Sequence, residues 1–171
     1  MEERSGVVTM KGTPVTVLGP ELRVGDKAPD FEVVDNNMAP VTLSDYRGKI
    51  CIIASVPSLD TPVCDMETRR FNQEAGELGP KVKVLTISMD LPFAQKRWCG
   101  AAGIDQVTTL SDHRKASFGK AYGVLIKELR LLARAVFVVD DSGVIRYIQM
   151  VKEISTEPDY EAVMDAVKKL L

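Results

Sequence analysis

Residues 50–71 read ICIIASVPSLDTPVCDMETRRF, and within this stretch a strand pattern gives way to a helix pattern. The apolar run at residues 50–54 predicts a buried strand. The polar residues after Cys64 have helical spacing. Thr61 suits the N-cap of that helix, and Pro62 suits its first position, where the missing N–H costs nothing. We therefore expect Cys64 in the first turn of a helix that directly follows a buried strand.

Cys64 is the candidate nucleophile of the chain. The first turn of a helix carries unpaired backbone N–H groups and the positive end of the helix dipole, and both favour a thiolate over a thiol. The thiolate is the reactive form of cysteine. An isolated cysteine is more often a small buried hydrophobic residue. The proline and the charged residues around Cys64 argue against that alternative.

Length and charge limit what the protein does. The chain has 171 residues and a mass of 18.8 kDa, which predicts one domain over residues 1–171. A net charge of −2 with 27% charged residues offers no basic surface for nucleic acid and no polybasic segment for a membrane. The acidic N-terminus does not resemble a signal peptide, and no apolar run is long enough to span a bilayer. We expect a soluble, cytoplasmic protein.

The three cysteines are far apart and include no C-x-x-C pair, so neither a disulfide framework nor a structural zinc site is predicted. Redox chemistry of individual thiols is the use of these cysteines that remains. Cys51 lies inside the apolar strand and is expected in the core. His113, the only histidine, lies between two charged residues and is expected in a solvated loop.

The rest of the pattern predicts an α/β fold. A hairpin is expected within residues 1–18, as an N-terminal extension, and strands are expected at 31–34, 82–88, 107–110, 134–139 and 144–148. Helices are expected from 62 to about 78, over 115–121, and from about 156 onward. Another helix is expected to open at residues 90–92 and to close at Gly103, with an apolar side made of Phe93, Ala94, Trp98 and Ala101 or Ala102. Helical crossovers require parallel strands, and the late hairpin requires an antiparallel pair. The order therefore predicts a mixed sheet flanked by helices, as in thioredoxin-like folds, with Cys64 past the carboxyl end of a central strand.

Three further residues are candidates for a site around Cys64. The Thr61 hydroxyl could cap the helix, or it could bond to the sulfur or to a bound oxygen. Arg134 could bring a permanent positive charge, although its spacing alone favours an ordinary surface residue at a strand start. Cys99 could be a second redox thiol or a residue packed beside Trp98, and the residues by themselves favour the packed residue.

Several stretches together resemble the peroxiredoxins, and the thiol peroxidase branch in particular. The motif Pro57-x-x-x-Thr61-x-x-Cys64 resembles the peroxidatic motif of that family. The wider strings that carry the likeness are ASVPSLDTPVC at 54–64, RWCG at 97–100 and LLARAVF at 131–137. The N-terminal hairpin is also typical of this branch, and Met66 stands where a small polar residue is more usual.

The resemblance implies an antioxidant enzyme that reduces hydrogen peroxide and organic hydroperoxides. Cys64 would be the peroxidatic cysteine and Cys99 the resolving one, joined in an intrachain disulfide that thioredoxin re-reduces. Thr61 and Arg134 would complete the substrate pocket, which Pro57 would shield. The resemblance also implies a homodimer and no metal or organic cofactor. Because two cysteines on separate helices rarely lie within disulfide reach, we expect both helices to unwind locally during turnover.

Three other functions are weighed against a peroxidase. A thiol–disulfide exchange protein would need adjacent cysteines, which are absent. A redox sensor that passes oxidation to a partner shares the first chemical step and stays open as an added role. A catalytically silent binding module is disfavoured by an intact set of Thr61, Cys64 and Arg134.

Overall fold

A computed structural model describes all residues, 1–171. The helices are α1 (Pro62–Leu78), α2 (Pro92–Ala102), α3 (Ser117–Ala121) and α4 (Tyr160–Lys168), and a 3-10 turn covers Leu43–Tyr46. The strands are β1 (Glu3–Met10), β2 (Thr13–Leu18), β3 (Glu32–Val34), β4 (Pro40–Thr42), β5 (Ile50–Ser55), β6 (Val82–Ser88), β7 (Val107–Ser111), β8 (Leu125–Ile126), β9 (Leu131–Leu132), β10 (Ala135–Val139) and β11 (Ile145–Met150).

The central sheet has seven strands in the order β11-β10-β5-β6-β7-β3-β4. Strands β5, β6 and β7 are parallel, with α1 and α2 in the crossovers between them. The neighbours on either side, β10 and β3, run antiparallel to this parallel core. The prediction of a mixed α/β sheet of thioredoxin-like type is confirmed. The carboxyl ends of β5 and β6 meet at one edge, where α1 and α2 begin.

A second sheet contains the N-terminal hairpin, in the order β1-β2-β8-β9. The hairpin was predicted, whereas β8 and β9 were not. Each has two residues, which is too short for an alternating pattern to stand out in the sequence. The three-residue β4 was missed for the same reason.

The core lies on both faces of the central sheet, because every residue of β5 is buried and alternate side chains point to opposite faces. Cys51 and Ile53 pack on one face with Phe118 of α3 and side chains of the second sheet. Ile52 and Ala54 pack on the other face, in a cluster completed by the apolar residues of α1 and α4, which include Phe71, Ala75, Val163, Met164 and Val167.

Three details of the sequence prediction are wrong. Strand β10 begins at Ala135, so Arg134 immediately precedes it. Helix α4 begins at Tyr160 rather than near residue 156, because the Asp159 side chain accepts a hydrogen bond from the Ala162 N–H at 3.1 Å and caps the helix. The buried residues of α2 are Pro92 and Gln95, while Phe93 is 70% exposed.

The contact that α2 makes with the sheet is polar, which explains why its apolar side was misjudged. The Gln95 amide donates to Ser88 Oγ and to the Leu110 carbonyl, both at 2.9 Å.

No helix in the structure combines the length and the apolar character needed to cross a membrane.

Candidate active site

Cys64 is the third residue of α1, a short loop after the carboxyl end of β5. Its side chain is fully buried and packs against Val56 and Leu59, with the half-buried Trp98 of α2 beside them. The sulfur therefore lies in a small apolar pocket rather than in solvent. Such surroundings by themselves disfavour a thiolate, so a charge partner is needed to stabilise one.

That partner is Arg134, whose side chain is only 2% exposed. Its Nη2 donates to Cys64 Sγ at 3.2 Å, its Nη1 to Glu67 Oε2 at 2.6 Å, and its Nε to the Ile154 carbonyl at 2.9 Å. Three fixed directions leave the guanidinium little freedom to rotate. Burial alone lowers the pKa of Arg134, but the negative charges of Cys64 and Glu67 outweigh it and the net pKa is raised. Arg134 thus remains a cation against the sulfur.

Strand pairing brings Arg134 to this place. Ala135 of β10 lies opposite Ser55, the last residue of β5, so Arg134 is level with the loop that leads to Cys64. The Ser55 hydroxyl donates to the Ala133 carbonyl at 2.7 Å and fixes the chain just before Arg134. The interpretation of Arg134 as an ordinary surface residue is therefore wrong.

Glu67 is a member of this cluster that the sequence analysis missed. It is fully buried, and its Oε1 has no hydrogen-bond partner. Burial raises the pKa of Glu67 to about 7 despite the attraction of Arg134. Helical periodicity could have found this residue, since it lies three positions after Cys64 on the face of α1 that also buries Phe71.

Thr61 occupies the N-cap position of α1, but its side chain does not cap the helix. The hydroxyl donates instead to the Ser58 carbonyl at 2.9 Å. A hydroxyl has one proton to donate, so in this arrangement Thr61 can only accept further hydrogen bonds. The first-turn N–H groups of α1 therefore receive no side-chain cap.

The loop that carries Thr61 is fastened to the end of β6 by Asp90. The Asp90 carboxylate accepts from Ser58 Oγ at 2.7 Å and from the Leu59 N–H at 2.8 Å. Pro57 is buried in the same loop. These hydrogen bonds hold the loop beside the sulfur, and Asp90, like Glu67, is a residue of this region that the sequence analysis did not identify.

Cys99 lies near the end of α2 and is half-buried, with a free thiol. Its sulfur contacts Thr109 Oγ1 at 3.3 Å, and that hydroxyl in turn lies 3.0 Å from Asn36 Oδ1. Cys64 contacts Arg134 instead, so the two sulfurs have different partners. Cys99 also lines an open cleft of about 250 Å³ with Asn36 and Ile104. It is the more accessible of the two thiols.

Two residues that the sequence analysis placed outside the site, Cys51 and His113, do lie away from this cluster. Cys51 is 1% exposed in the core as predicted, and burial raises the pKa of its thiol to about 11. Cys51 also lines a cavity of about 610 Å³ whose lining does not include Cys64. The prediction of a solvated His113 is wrong, because both ring nitrogens are buried and have no hydrogen-bond partner.

The redoxin family model matches residues 23–164 of this chain. Thiol peroxidases are similar over nearly the whole length: that of Oceanobacillus iheyensis is 60% identical over 162 residues, 95% of this chain and 98% of the relative. The thiol peroxidase of Bacillus subtilis is 57% identical over 164 residues, which cover 96% of this chain and 98% of the relative. The chain belongs to the redoxin family, in the thiol peroxidase branch of the peroxiredoxins.

Solved structures agree with the redoxin assignment. A peroxiredoxin-like protein from Aquifex aeolicus superposes with a TM-score of 0.91 at 44% identity, and the match covers 100% of both chains. A thiol peroxidase from Chromobacterium violaceum shares the fold with a TM-score of 0.84 at 23% identity over 95% of each chain. The predicted resemblance is confirmed, and the chain is a thiol-dependent peroxidase of peroxiredoxin type.

Proposed function

We propose that the enzyme reduces hydrogen peroxide and organic hydroperoxides at Cys64 and resolves the product with Cys99 of the same chain. The observation that carries the proposal is the hydrogen bond from Arg134 Nη2 to Cys64 Sγ, 3.2 Å long and closed off from solvent. A buried cation at this distance strongly favours the thiolate. The same cation can stabilise negative charge that develops on the oxygens of a bound peroxide.

In the first step the Cys64 thiolate attacks the terminal oxygen of the hydroperoxide. The O–O bond breaks, and the second oxygen leaves as water or an alcohol after it takes up a proton. Cys64 becomes a sulfenic acid. Thr61 accepts the O–H of the incoming peroxide, and Arg134 donates to the reacting oxygens as the charge moves from sulfur to oxygen.

In the second step the Cys99 thiol attacks the sulfur of the sulfenic acid. The S–O bond breaks, water leaves, and a Cys64–Cys99 disulfide forms. A dithiol then returns two electrons and two protons by thiol–disulfide exchange. We propose thioredoxin as that dithiol, which also fits an enzyme of the reducing cytoplasm. The more accessible Cys99 sulfur supports attack by an external protein at this half of the disulfide.

The assay is turnover with thioredoxin, thioredoxin reductase and NADPH, with hydrogen peroxide and an alkyl hydroperoxide as alternative substrates. Cys64→Ser should lose turnover, and Cys99→Ser should consume about one peroxide per chain and then stop as the sulfenic acid. Cys51→Ser serves as the matched control and should keep activity. Near wild-type turnover in Cys64→Ser would refute the assignment of the nucleophile, and a mainly intermolecular disulfide would refute intrachain resolution.

We also propose a homodimer, in line with the family resemblance. Apolar side chains that could be covered on association include Met66 of α1 and Phe93 of α2, which are 49% and 70% exposed. Light scattering after gel filtration should give twice the 18.8 kDa chain mass. A single species at the chain mass would refute the dimer.

A further inference from the structure

A cluster of side chains joins α1 to α2 directly beside the two redox cysteines. Trp98 Nε1 donates to Asp65 Oδ2 at 3.1 Å, and Arg69 Nε donates to the other oxygen of the same carboxylate. The Arg69 guanidinium lies 5.8 Å from the centre of the Trp98 ring, and its Nη1 reaches the Ala102 carbonyl at 3.4 Å. We call Asp65, Arg69 and Trp98 the α1–α2 clasp.

The position of the clasp in the sequence ties it to the disulfide step. Asp65 follows Cys64, and Trp98 precedes Cys99, so the hydrogen bond between them joins the two helical turns that carry the sulfurs. A disulfide requires the two Cα atoms within about 4.4–6.8 Å and a specific torsion. In the structure the Cys64 sulfur contacts Arg134 and the Cys99 sulfur contacts Thr109, and both cysteines lie within helical turns.

We propose that the α1–α2 clasp sets the rate of the disulfide step, because the turns that carry Cys64 and Cys99 cannot rearrange until the bond from Trp98 to Asp65 breaks. The inference rests on the function proposed above and concerns only the steps after the first oxidation. Trp98 also packs over the pocket of Cys64, so release of the clasp uncovers the sulfur that Cys99 must reach.

The clasp has a second consequence at high peroxide. While it is closed, the sulfenic acid of Cys64 stays in the peroxide pocket beside Arg134. A second hydroperoxide can then transfer one oxygen to the same sulfur, giving the sulfinic acid and a molecule of water or alcohol. The clasp therefore sets the partition between the disulfide and irreversible oxidation.

Helix α1 contains a matched control. Arg70 and Glu74 form an ion pair with the same i,i+4 spacing at 2.9 Å, but Arg70 lies against Tyr160 of α4 rather than against α2. Glu74→Gln therefore removes a comparable helix-surface ion pair without touching the clasp. The test variants are Asp65→Ala, which removes the shared acceptor, and Trp98→Phe, which removes the N–H and keeps an aromatic ring.

The experiment mixes the reduced enzyme with hydrogen peroxide, at one equivalent in one series and in excess in a second, and quenches with acid and an alkylating agent at successive times. Mass spectrometry then counts thiol, sulfenic acid, disulfide and sulfinic acid, so that the peroxide step and the disulfide step are scored separately. Trp98 is the only tryptophan, and its fluorescence reports release of the clasp in the wild type and in Asp65→Ala.

Both clasp variants should form the disulfide about three- to tenfold faster than wild type, the range expected for loss of one partly exposed, charge-assisted hydrogen bond. Their sulfinic acid fraction under excess peroxide should fall, and Glu74→Gln should match wild type in both respects. Thermal melts identify a variant that is merely unfolded. If the two clasp variants form the disulfide no faster than Glu74→Gln, the proposed role of the clasp is wrong. If the wild-type chain forms no Cys64–Cys99 disulfide, the proposed function is wrong instead.

Discussion

Replacement of Arg134 by methionine tests the contact on which the proposed chemistry depends. At 3.2 Å from the sulfur, with an effective dielectric constant of about 20, the guanidinium and a thiolate attract one another by roughly 5 kcal/mol. Glu67 shares the same cation, so only part of that attraction acts on the sulfur.

The variant should show two separable losses. Alkylation of Cys64 by iodoacetamide depends on the thiolate alone, so it should slow at neutral pH and recover at higher pH. Oxidation by hydrogen peroxide should stay slower by a further factor of about 10²–10³ even where the thiol is ionised, because a donor to the reacting oxygens is also gone. Second-order rates of both reactions as a function of pH provide the comparison.

Two further variants control for the loss of packing. Arg134→Lys keeps the charge but cannot donate along three fixed directions, so it should retain part of the thiolate and little of the peroxide step. Arg134→Met by itself leaves the buried Glu67 carboxylate without its cation. The double variant Arg134→Met, Glu67→Gln removes that carboxylate as well. If both rates in folded Arg134→Met equal those of wild type across the pH range, the cation has no part in the chemistry.

Other substitutions test the surroundings of the sulfur. Burial raises the pKa of Glu67 to about 7 from an ordinary 4.5, so the stability that this group contributes is complete below pH 4.5 and is lost as the pH rises through 7. Urea unfolding of Glu67→Gln should lack this decline, and an unchanged pH dependence would contradict the raised pKa. The Thr61 hydroxyl is expected to act on the peroxide rather than on the thiolate. Thr61→Val should therefore lower the rate of oxidation by peroxide by about tenfold or more and leave the rate of iodoacetamide alkylation near wild type. Thr61→Ser keeps the hydroxyl and should keep both rates. Cys51→Ala should keep full turnover and lose about 1 kcal/mol of unfolding free energy in the same titrations, and an inactive but folded variant would assign this buried thiol a role in the reaction.

Much of the fold could be predicted because its signals are local. Strand β5 is specified by its own apolar run. Helix α1 is specified by the proline at its start and by Gly79 at its end, so both elements depend only on residues close together in the sequence. The start of α4 was misplaced because it depends on one hydrogen bond, which the Ala162 N–H donates to the Asp159 side chain. The short strands β8 and β9 form through pairing with β2 and with each other, and two residues give no periodic signal of such pairing.

The amino-acid sequence by itself determined the strand and the helix that present Cys64, the proposed nucleophile. Pro62 and the polar run after Cys64 start a helix at the carboxyl end of a buried strand, wherever the rest of the chain goes. The tertiary structure alone decided the electrostatics. Arg134 meets Cys64, 70 positions away in the sequence, because β10 pairs with β5 at Ala135 and Ser55, and Glu67 lies against the same cation on the buried face of α1. Helix starts follow from residues a few positions apart, whereas a buried ion cluster depends on the register of strands far apart in the chain, and only the folded packing fixes that register.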